Sequence, residues 1–216
     1  MEQSFAIFDM DGTLVNSMVY WMALSREFLR SRGVEGDLEP IMQRIKPMTM
    51  AESSALFIRE LGVKGTPESI RAEMSRMMEQ HYREDVELKP GVREYLEALK
   101  KRGVRMGVAS ATPAHMIQIC LERLGVAPYF EFLLSCESVG AGKRQPTVFL
   151  EAARRLGGEP ENTAVYEDAV YAVETARRAG FYTVGVYDPC SRENWETIED
   201  LAQETICDWA QAAKAL

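Results

Sequence analysis

Histidine and cysteine are scarce in this sequence, and their scarcity restricts the chemistry that it can support. Its 216 residues include two histidines, His81 and His115, whose spacing matches no metal-binding motif. The G-x-S-x-G turn of serine hydrolases is absent as well. The four cysteines are scattered and form no C-x-x-C pair, so we expect reduced thiols and a cytoplasmic location rather than a zinc site or a disulfide framework.

The sequence also lacks an excess of positive charge and any long apolar run. Its formal net charge is -8 at pH 7, and an acidic surface repels both nucleic-acid backbones and anionic lipids. No stretch is apolar over the roughly 20 residues that a membrane-spanning helix needs. We therefore expect a small metabolite as partner, no nucleic acid, no membrane, and a monomer or weak oligomer.

Short apolar runs alternate with amphipathic stretches, and this alternation predicts an α/β protein with a doubly wound parallel sheet. The predicted strands are Ser4–Phe8, Val104–Ala109, Phe130–Leu134, Thr163–Tyr166 and Tyr182–Val186. The predicted helices of the same region are Pro90–Arg102, Ala114–Leu124, Pro146–Leu156, Ala169–Ala179 and Arg192–Ala202.

The segment 15–87 interrupts this alternation, because its pattern is helical throughout. Thr49-x-x-Glu52 is a capping-box pattern, and Thr66-Pro67 is typical of an N-cap followed by proline in the first turn. We therefore predict a Rossmann-like core domain, formed by residues 1–14 and 88–216, with an all-helical cap domain of residues 15–87 inserted into it.

Reactive side chains follow four of the predicted strands. They are Asp9-Met10-Asp11-Gly12-Thr13 after the first, Ser110-Ala111-Thr112 after the second, Lys143 in the loop after the third, and Glu167-Asp168 after the fourth. Ligands of open α/β sheets bind beyond the carboxyl ends of the strands, so we expect these groups to meet at one edge. Taken alone, Asp11-Gly12 is ordinary turn chemistry and Glu167-Asp168 is ordinary helix capping. The occurrence of all four segments at strand ends favours a ligand-binding site over these structural roles.

Phosphoryl transfer fits this set of residues. Asp9 needs no base to become a nucleophile, because a carboxylate is already ionised at neutral pH. Its repulsion from a phosphate dianion must be removed, and carboxylate oxygens suit Mg²⁺ for that purpose. Asp11 would protonate the leaving oxygen and then take a proton from water. Ser110 and Lys143 would hold the phosphate.

In this order, the motif Asp9-Met10-Asp11-Gly12-Thr13-Leu14, then Ser110, Lys143 and Glu167-Asp168 resembles the haloacid dehalogenase superfamily of phosphotransferases over nearly the whole chain. Pro90-Gly91-Val92 and Phe149-x-x-Ala152-Ala153 resemble subfamily I, the helical-cap branch of β-phosphoglucomutases and sugar phosphatases. The resemblance implies that Asp9 and Asp11 are catalytic, and that Ser110, Ala111 and Lys143 bind phosphate. It implies Mg²⁺ ligation by Asp9, Asp168, Glu167 and the backbone carbonyl of Asp11, and a central first strand.

The resemblance implies a Mg²⁺-dependent phosphatase of a small phosphorylated metabolite, in the sugar-phosphate class, acting through an aspartyl-phosphate. A β-phosphoglucomutase-like mutase is the alternative. Mutases of this branch carry a histidine in the first cap helix and an arginine in the specificity loop, whereas this chain has Tyr20-Trp21 and no arginine in Lys46–Ser53. A noncatalytic phospho-ligand-binding relative is a third reading, although Asp9 and Asp11 are both retained. Lys46 and Trp21 are candidate substrate contacts, and packing is the competing role for Trp21.

Overall fold

The computed structural model describes residues 3–45 and 48–216. The chain divides into two compact units, an α/β unit of Met1–Ser17 with Val86–Leu216 and a helical unit of Met18–Asp85. Within the described ranges, every helix is too short or too polar to cross a bilayer.

The α/β unit is built on a six-stranded sheet in which every pairing is parallel. Its strands are β1 Phe5–Phe8, β2 Arg105–Ser110, β3 Leu133–Ser135, β4 Thr163–Glu167, β5 Tyr182–Val186 and β6 Glu204–Ile206. The strand order β3-β2-β1-β4-β5-β6 puts β1 in the interior of the sheet, between β2 and β4. The predicted fold class and the central first strand are confirmed.

Over its described residues, 18–45 and 48–85, the helical unit contains four helices, α1 Met18–Ser31, α2 Glu39–Ile45, α3 Met50–Leu61 and α4 Pro67–Glu84. Both predicted helix starts are confirmed: Thr49 and Glu52 form a reciprocal capping box on α3, and Thr66 caps α4 with Pro67 in its first turn. His81 lies on α4, where its ring nitrogens approach Glu27 of α1 at 2.9 Å and Asp85 at 2.7 Å. It therefore joins α1 to the end of α4.

The described part of the α/β unit has seven α-helices, namely α5 Val92–Lys101, α6 Ala114–Arg123, α7 Cys136–Val139, α8 Thr147–Leu156, α9 Val170–Arg178, α10 Trp195–Leu201 and α11 Trp209–Ala215. Successive residues of β1 point to opposite faces of the sheet. Ile7 packs with Phe149 of α8 on one face. Phe8 stacks on Tyr166 of β4 at 4.2 Å on the other face, beside Trp209 of α11. The sheet is thus covered on both sides.

The sequence-based prediction was wrong about the sixth strand of the sheet, about the helices near it, and about the start of β3 at the opposite edge. It missed β6 and α11, because a three-residue edge strand is too short to show periodicity. The helix predicted over Arg192–Ala202 is a 3₁₀ segment, Pro189–Asn194, followed by α10. Strand β3 begins at Leu133 rather than Phe130, and a 3₁₀ turn, Ala127–Tyr129, lies upstream of it.

The C-terminal helix packs against the start of α5, and Gly91 sets how closely they approach. A Cβ at Gly91 would overlap the backbone of Trp209 and Ala210, with the Cα of Ala210 2.6 Å away. Gly103 has a similar left-handed backbone, φ +79° against +90° for Gly91, but a Cβ there would meet nothing within 4 Å. Comparing a substitution at Gly91 with the same substitution at Gly103 therefore distinguishes the effect of steric overlap from that of backbone strain.

We expect Gly91→Ala to destabilise the protein more than Gly103→Ala. Both variants incur the roughly 1–2 kcal/mol cost of a side chain in the left-handed region. Only Gly91→Ala adds an overlap with α11, for which about 1–3 kcal/mol more is typical of overpacking. Urea denaturation curves of the two variants and wild type measure the difference, and equal losses would contradict the close approach.

Candidate active site

Three neighbouring strands deliver acidic and hydroxyl side chains to one edge of the sheet. Asp9 follows β1, Ser110 ends β2, and Glu167 ends β4 with Asp168 next to it. The register pairs Phe8 with both Val108 and Tyr166, and the backbone N–H of Asp9 donates to the Tyr166 carbonyl at 3.0 Å. Parallel pairing therefore brings residues separated by about 100 and 160 positions to one place.

Asp9, Glu167 and Asp168 form a buried carboxylate cluster. One oxygen of each lies within 4.8 Å of the others, and none of the three residues is more than 6% exposed. Thr13, in the turn after β1, donates to Oδ1 of Asp168 at 3.5 Å. The geometry matches the oxygen-rich environment that hard divalent cations prefer.

Lys143 provides positive charge inside this cluster. Its Nζ forms ion pairs with Asp9 Oδ1 and, at 2.6 Å, with Glu167 Oε1, although the second contact lacks hydrogen-bonding angles. Burial would lower the pKa of Lys143, but the two carboxylates outweigh it and raise that pKa. The ammonium therefore stays charged at neutral pH.

One ammonium does not balance three carboxylates, and the titration of the acids reflects that imbalance. Burial is the largest cause that raises the pKa of each acid, and repulsion by a neighbouring carboxylate adds to it, from Asp11 at Asp9 and from Asp9 at both Glu167 and Asp168. The pKa of Asp168 rises to about 7, and that of Glu167 rises well above its ordinary value. A divalent cation would supply the missing charge, so the residues present fit such an ion.

Asp11 lies outside this cluster and is half-buried, with hydroxyls on both carboxylate oxygens. Ser17 Oγ donates to Oδ1 at 2.6 Å, and Thr112 Oγ1 donates to Oδ2 at 2.6 Å. Ser110 is buried and accepts from the backbone N–H of Thr112 at 3.2 Å. Asp11 is therefore held between the turn after β1 and the loop after β2.

The remaining candidate residues have different surroundings. Ala111 is exposed in the loop after β2. Trp21 lies on α1 of the helical unit, where its Nε1 donates to the Tyr82 hydroxyl at 3.0 Å. This contact gives Trp21 a packing role, and its contact with substrate stays a prediction. Lys46 lies outside the described residues.

Sequence reasoning missed a buried ion pair in the α/β unit. Lys89, just before α5, pairs with Asp188, which lies after β5, at 3.0 Å, and it also donates to the Tyr187 carbonyl at 2.7 Å. Asp188 repels Asp168 and Lys89 attracts it, so the pair belongs to the electrostatic surroundings of the carboxylate cluster. Inspection of the residues after each strand end, extended to β5, would have found Asp188. Lys89 gives no comparable signal.

Known proteins resemble this chain in sequence. A model of the haloacid dehalogenase-like hydrolases matches residues 6–186. The phosphorylated carbohydrates phosphatase of Thermotoga maritima is 29% identical over 174 residues, or 81% of this chain and 80% of that protein. Hexitol phosphatase B of Escherichia coli K12 is 28% identical over 189 residues, or 85% and 83% of the two chains. The residues matched by the family model include the carboxylate cluster, Lys143 and Asp11.

Solved structures resemble it as well. A Thermotoga maritima protein provisionally named a β-phosphoglucomutase superposes with a TM-score of 0.82 at 26% identity, covering 99% of each chain. The likeness therefore extends over the whole length of both proteins.

We expect Asp168→Asn to stabilise the cation-free protein at alkaline pH. A folded-state pKa raised from 3.8 to about 7 means that ionising Asp168 removes stability as the pH rises through that window. In EDTA, the variant should therefore exceed wild type by about 1–3 kcal/mol at pH 8 and by much less at pH 5. Denaturation curves at both pH values measure this.

The same variant should lose stabilisation by divalent cations, because one of its ligand oxygens becomes a neutral amide. Added Mg²⁺ should raise the denaturation midpoint of wild type and that of the control Asp200→Asn, at an exposed position on α10.

An Asp168→Asn protein that is less stable than wild type at pH 8 in EDTA would contradict the charge imbalance.

Proposed function

The chain belongs to the haloacid dehalogenase-like hydrolases, and on that premise we propose that it is a Mg²⁺-dependent phosphatase of a small phosphorylated metabolite. The observation that carries the proposal is the position of Asp9, which lies at the end of the central strand, paired with Lys143 and clustered with Glu167 and Asp168. The reaction passes through an aspartyl-phosphate on Asp9.

Asp9, Asp168, Glu167 and the backbone carbonyl of Asp11 would hold the cation. When bound, Mg²⁺ supplies positive charge that keeps the carboxylates ionised and lets a phosphate dianion approach them. The site fits this ion because three buried carboxylates have only one ammonium among them, which leaves negative charge for a cation to balance.

Asp9 attacks phosphorus, and Lys143 orients the Asp9 carboxylate for that attack. The ion pair to Oδ1 fixes one oxygen of the carboxylate, because the ammonium is itself held by Glu167. Lys143 then pairs with oxygens of the transferring group, and the Ser110 hydroxyl, at the adjacent strand end, donates a hydrogen bond to the same group with the backbone of Ala111. An ammonium and a hydroxyl positioned in advance stabilise charge that develops in the transition state.

Asp11 moves the protons. It gives a proton to the leaving oxygen as the P–O bond breaks, and then accepts one from the water that opens the aspartyl-phosphate. Its half-buried position and its neutral hydroxyl partners distinguish it from Asp9, which is buried among charges. The different surroundings of the two carboxylates therefore support different roles, nucleophile for Asp9 and acid–base group for Asp11.

Sugar phosphates are the proposed substrate class, because two relatives that match more than four-fifths of the chain are named for phosphorylated carbohydrates and a hexitol phosphate. A mutase stays the second candidate, since the structural likeness at TM-score 0.82 is to a provisional β-phosphoglucomutase. The absence of a histidine near Tyr20-Trp21 in α1 favours hydrolysis.

We expect Asp9→Asn to abolish phosphate release and to prevent phosphorylation of the protein, since an amide is a poor nucleophile. Asp11→Asn should lower kcat on an alkyl phosphate by about 10²–10⁴-fold while still allowing slow transfer to Asp9. Phosphate release and acid-quenched protein labelling with radioactive substrate measure both. Asp200→Asn is the matched control, and labelling of Asp9→Asn at the wild-type level would refute the nucleophile assignment.

We expect hexose and hexitol 6-phosphates to release phosphate in the presence of Mg²⁺ alone. A mutase needs a bisphosphate to maintain its phosphorylated state, and it would interconvert β-glucose 1-phosphate and glucose 6-phosphate without net phosphate release. A panel of these esters, with and without glucose 1,6-bisphosphate, separates the two functions. Isomerisation that depends on the bisphosphate and outpaces release would favour the mutase.

A further inference from the structure

The hydroxyl of Thr112 lies where it can fix the orientation of Asp11. Oγ1 of Thr112 donates to Oδ2 of Asp11 at 2.6 Å, across a sequence separation of 101 residues. Oδ1 of the same carboxylate accepts from Ser17 at 2.6 Å. A carboxyl group with a donor on each oxygen has its plane and its rotation defined.

Thr112 is itself held firmly. The residue is 5% exposed, and its backbone N–H donates to the Ser110 hydroxyl at 3.2 Å. A β-branched side chain has few accessible rotamers, so little freedom remains at Oγ1. Two hydrogen bonds from Thr112 thus connect Ser110, the proposed phosphate-binding residue, with Asp11.

We propose that Thr112 is a positioning residue that aims Asp11 at the leaving oxygen of the substrate. This inference rests on the proposed phosphatase function. Its physical basis is that proton transfer requires the acid within hydrogen-bonding distance of the leaving oxygen and correctly oriented, and misplacement by about 1 Å costs up to about 10²-fold in rate.

The step is balanced without a proton from Thr112. The Asp9 oxygen forms a bond to phosphorus as the bond from phosphorus to the ester oxygen breaks. The electron pair of the broken bond stays on the ester oxygen, which takes the proton of the Asp11 carboxyl and leaves as an alcohol. Thr112 keeps its proton throughout, and its hydroxyl can remain bonded to Asp11 in both protonation states, because a hydroxyl both donates and accepts.

The test uses two leaving groups that differ in their need for a proton. An alkyl phosphate expels a strongly basic alkoxide and needs the acid, whereas p-nitrophenyl phosphate expels a stable phenolate and does not. Thr112→Val removes the hydroxyl at nearly constant volume. We expect kcat/KM of Thr112→Val to fall about 10- to 100-fold on the best alkyl phosphate of the panel and less than about 3-fold on p-nitrophenyl phosphate.

Thr112→Ser should restore the alkyl phosphate reaction to within about 3-fold of wild type, because the donor returns. Thr163→Val is the matched control, since Thr163 is a fully buried threonine at the opposite end of β4. Its ratio of kcat/KM values for the two substrates should equal that of wild type. The ratio is independent of the fraction of folded enzyme.

A double-mutant cycle adds a second readout. In an Asp11→Asn background, Thr112→Val should cause no further loss of kcat/KM on the alkyl phosphate, because its effect passes through Asp11. Equal losses on both substrates, failure of Thr112→Ser to restore activity, or additive losses in the cycle would each overturn the proposal. Failure of the phosphatase function itself would show differently, as a wild-type protein whose phosphate release does not depend on Asp9.

Discussion

The ion pairs of Lys143 with Asp9 and Glu167 are the interaction on which the rest of the site depends. Three carboxylates packed within 4.8 Å in a buried place repel one another, and each loses the solvation it would have in water. The ammonium of Lys143, placed between two of them, reduces this repulsion but does not cancel the negative charge of the cluster. The remaining negative charge suits the site to a divalent cation, and in the proposed function that cation would allow a phosphate dianion to approach. Binding and folding therefore make opposite demands on the same residues, and the site keeps a shortage of positive charge that a structural ion-pair network would have removed.

The sheet supplies the rigidity that holds such a cluster together. Because β1 lies between β2 and β4, the carboxyl ends of three adjacent parallel strands present Asp9, Ser110 and Glu167 side by side. The strands are anchored on both faces, by the cluster of α8 and α9 on one side and by stacked Phe8, Tyr166 and Trp209 on the other. Close packing of this kind resists the separation that charge repulsion favours. A site with this much repulsion would not keep its geometry on flexible loops.

Sequence reasoning reached the strand-end residues because each comes directly after a run of apolar residues long enough to be identified as a buried strand. Asp9 and Glu167-Asp168 are examples, and their convergence follows from parallel pairing alone. The missed features lack such a signal. Strand β6 has three residues, of which only Ile206 is buried, and α11 contributes one buried side chain, Trp209. The Lys89–Asp188 pair and the bond from Thr112 to Asp11 join residues about 100 positions apart, so only the folded chain brings them together. Long-range pairs between polar side chains leave no periodic pattern to detect.

Asp9 and Asp11 show how one short turn can supply two different carboxylates. The chain makes a tight turn after β1, in which Leu14 and Val15 donate to the Met10 carbonyl, so the two aspartates point into different surroundings. Asp9 faces an ammonium and two further acids, an environment in which a carboxylate is useful as a nucleophile once a cation compensates the charge. Asp11 faces two neutral hydroxyls, which accept or donate equally well and so tolerate both a charged and a protonated partner. A group that is proposed to release a proton in one half of a reaction and recover it in the other can keep such hydroxyl partners in both halves. The proposed difference in role therefore rests on the ion-pair and hydrogen-bond partners of each aspartate, and Ser17 and Thr112 contribute to it through their bonds to Asp11.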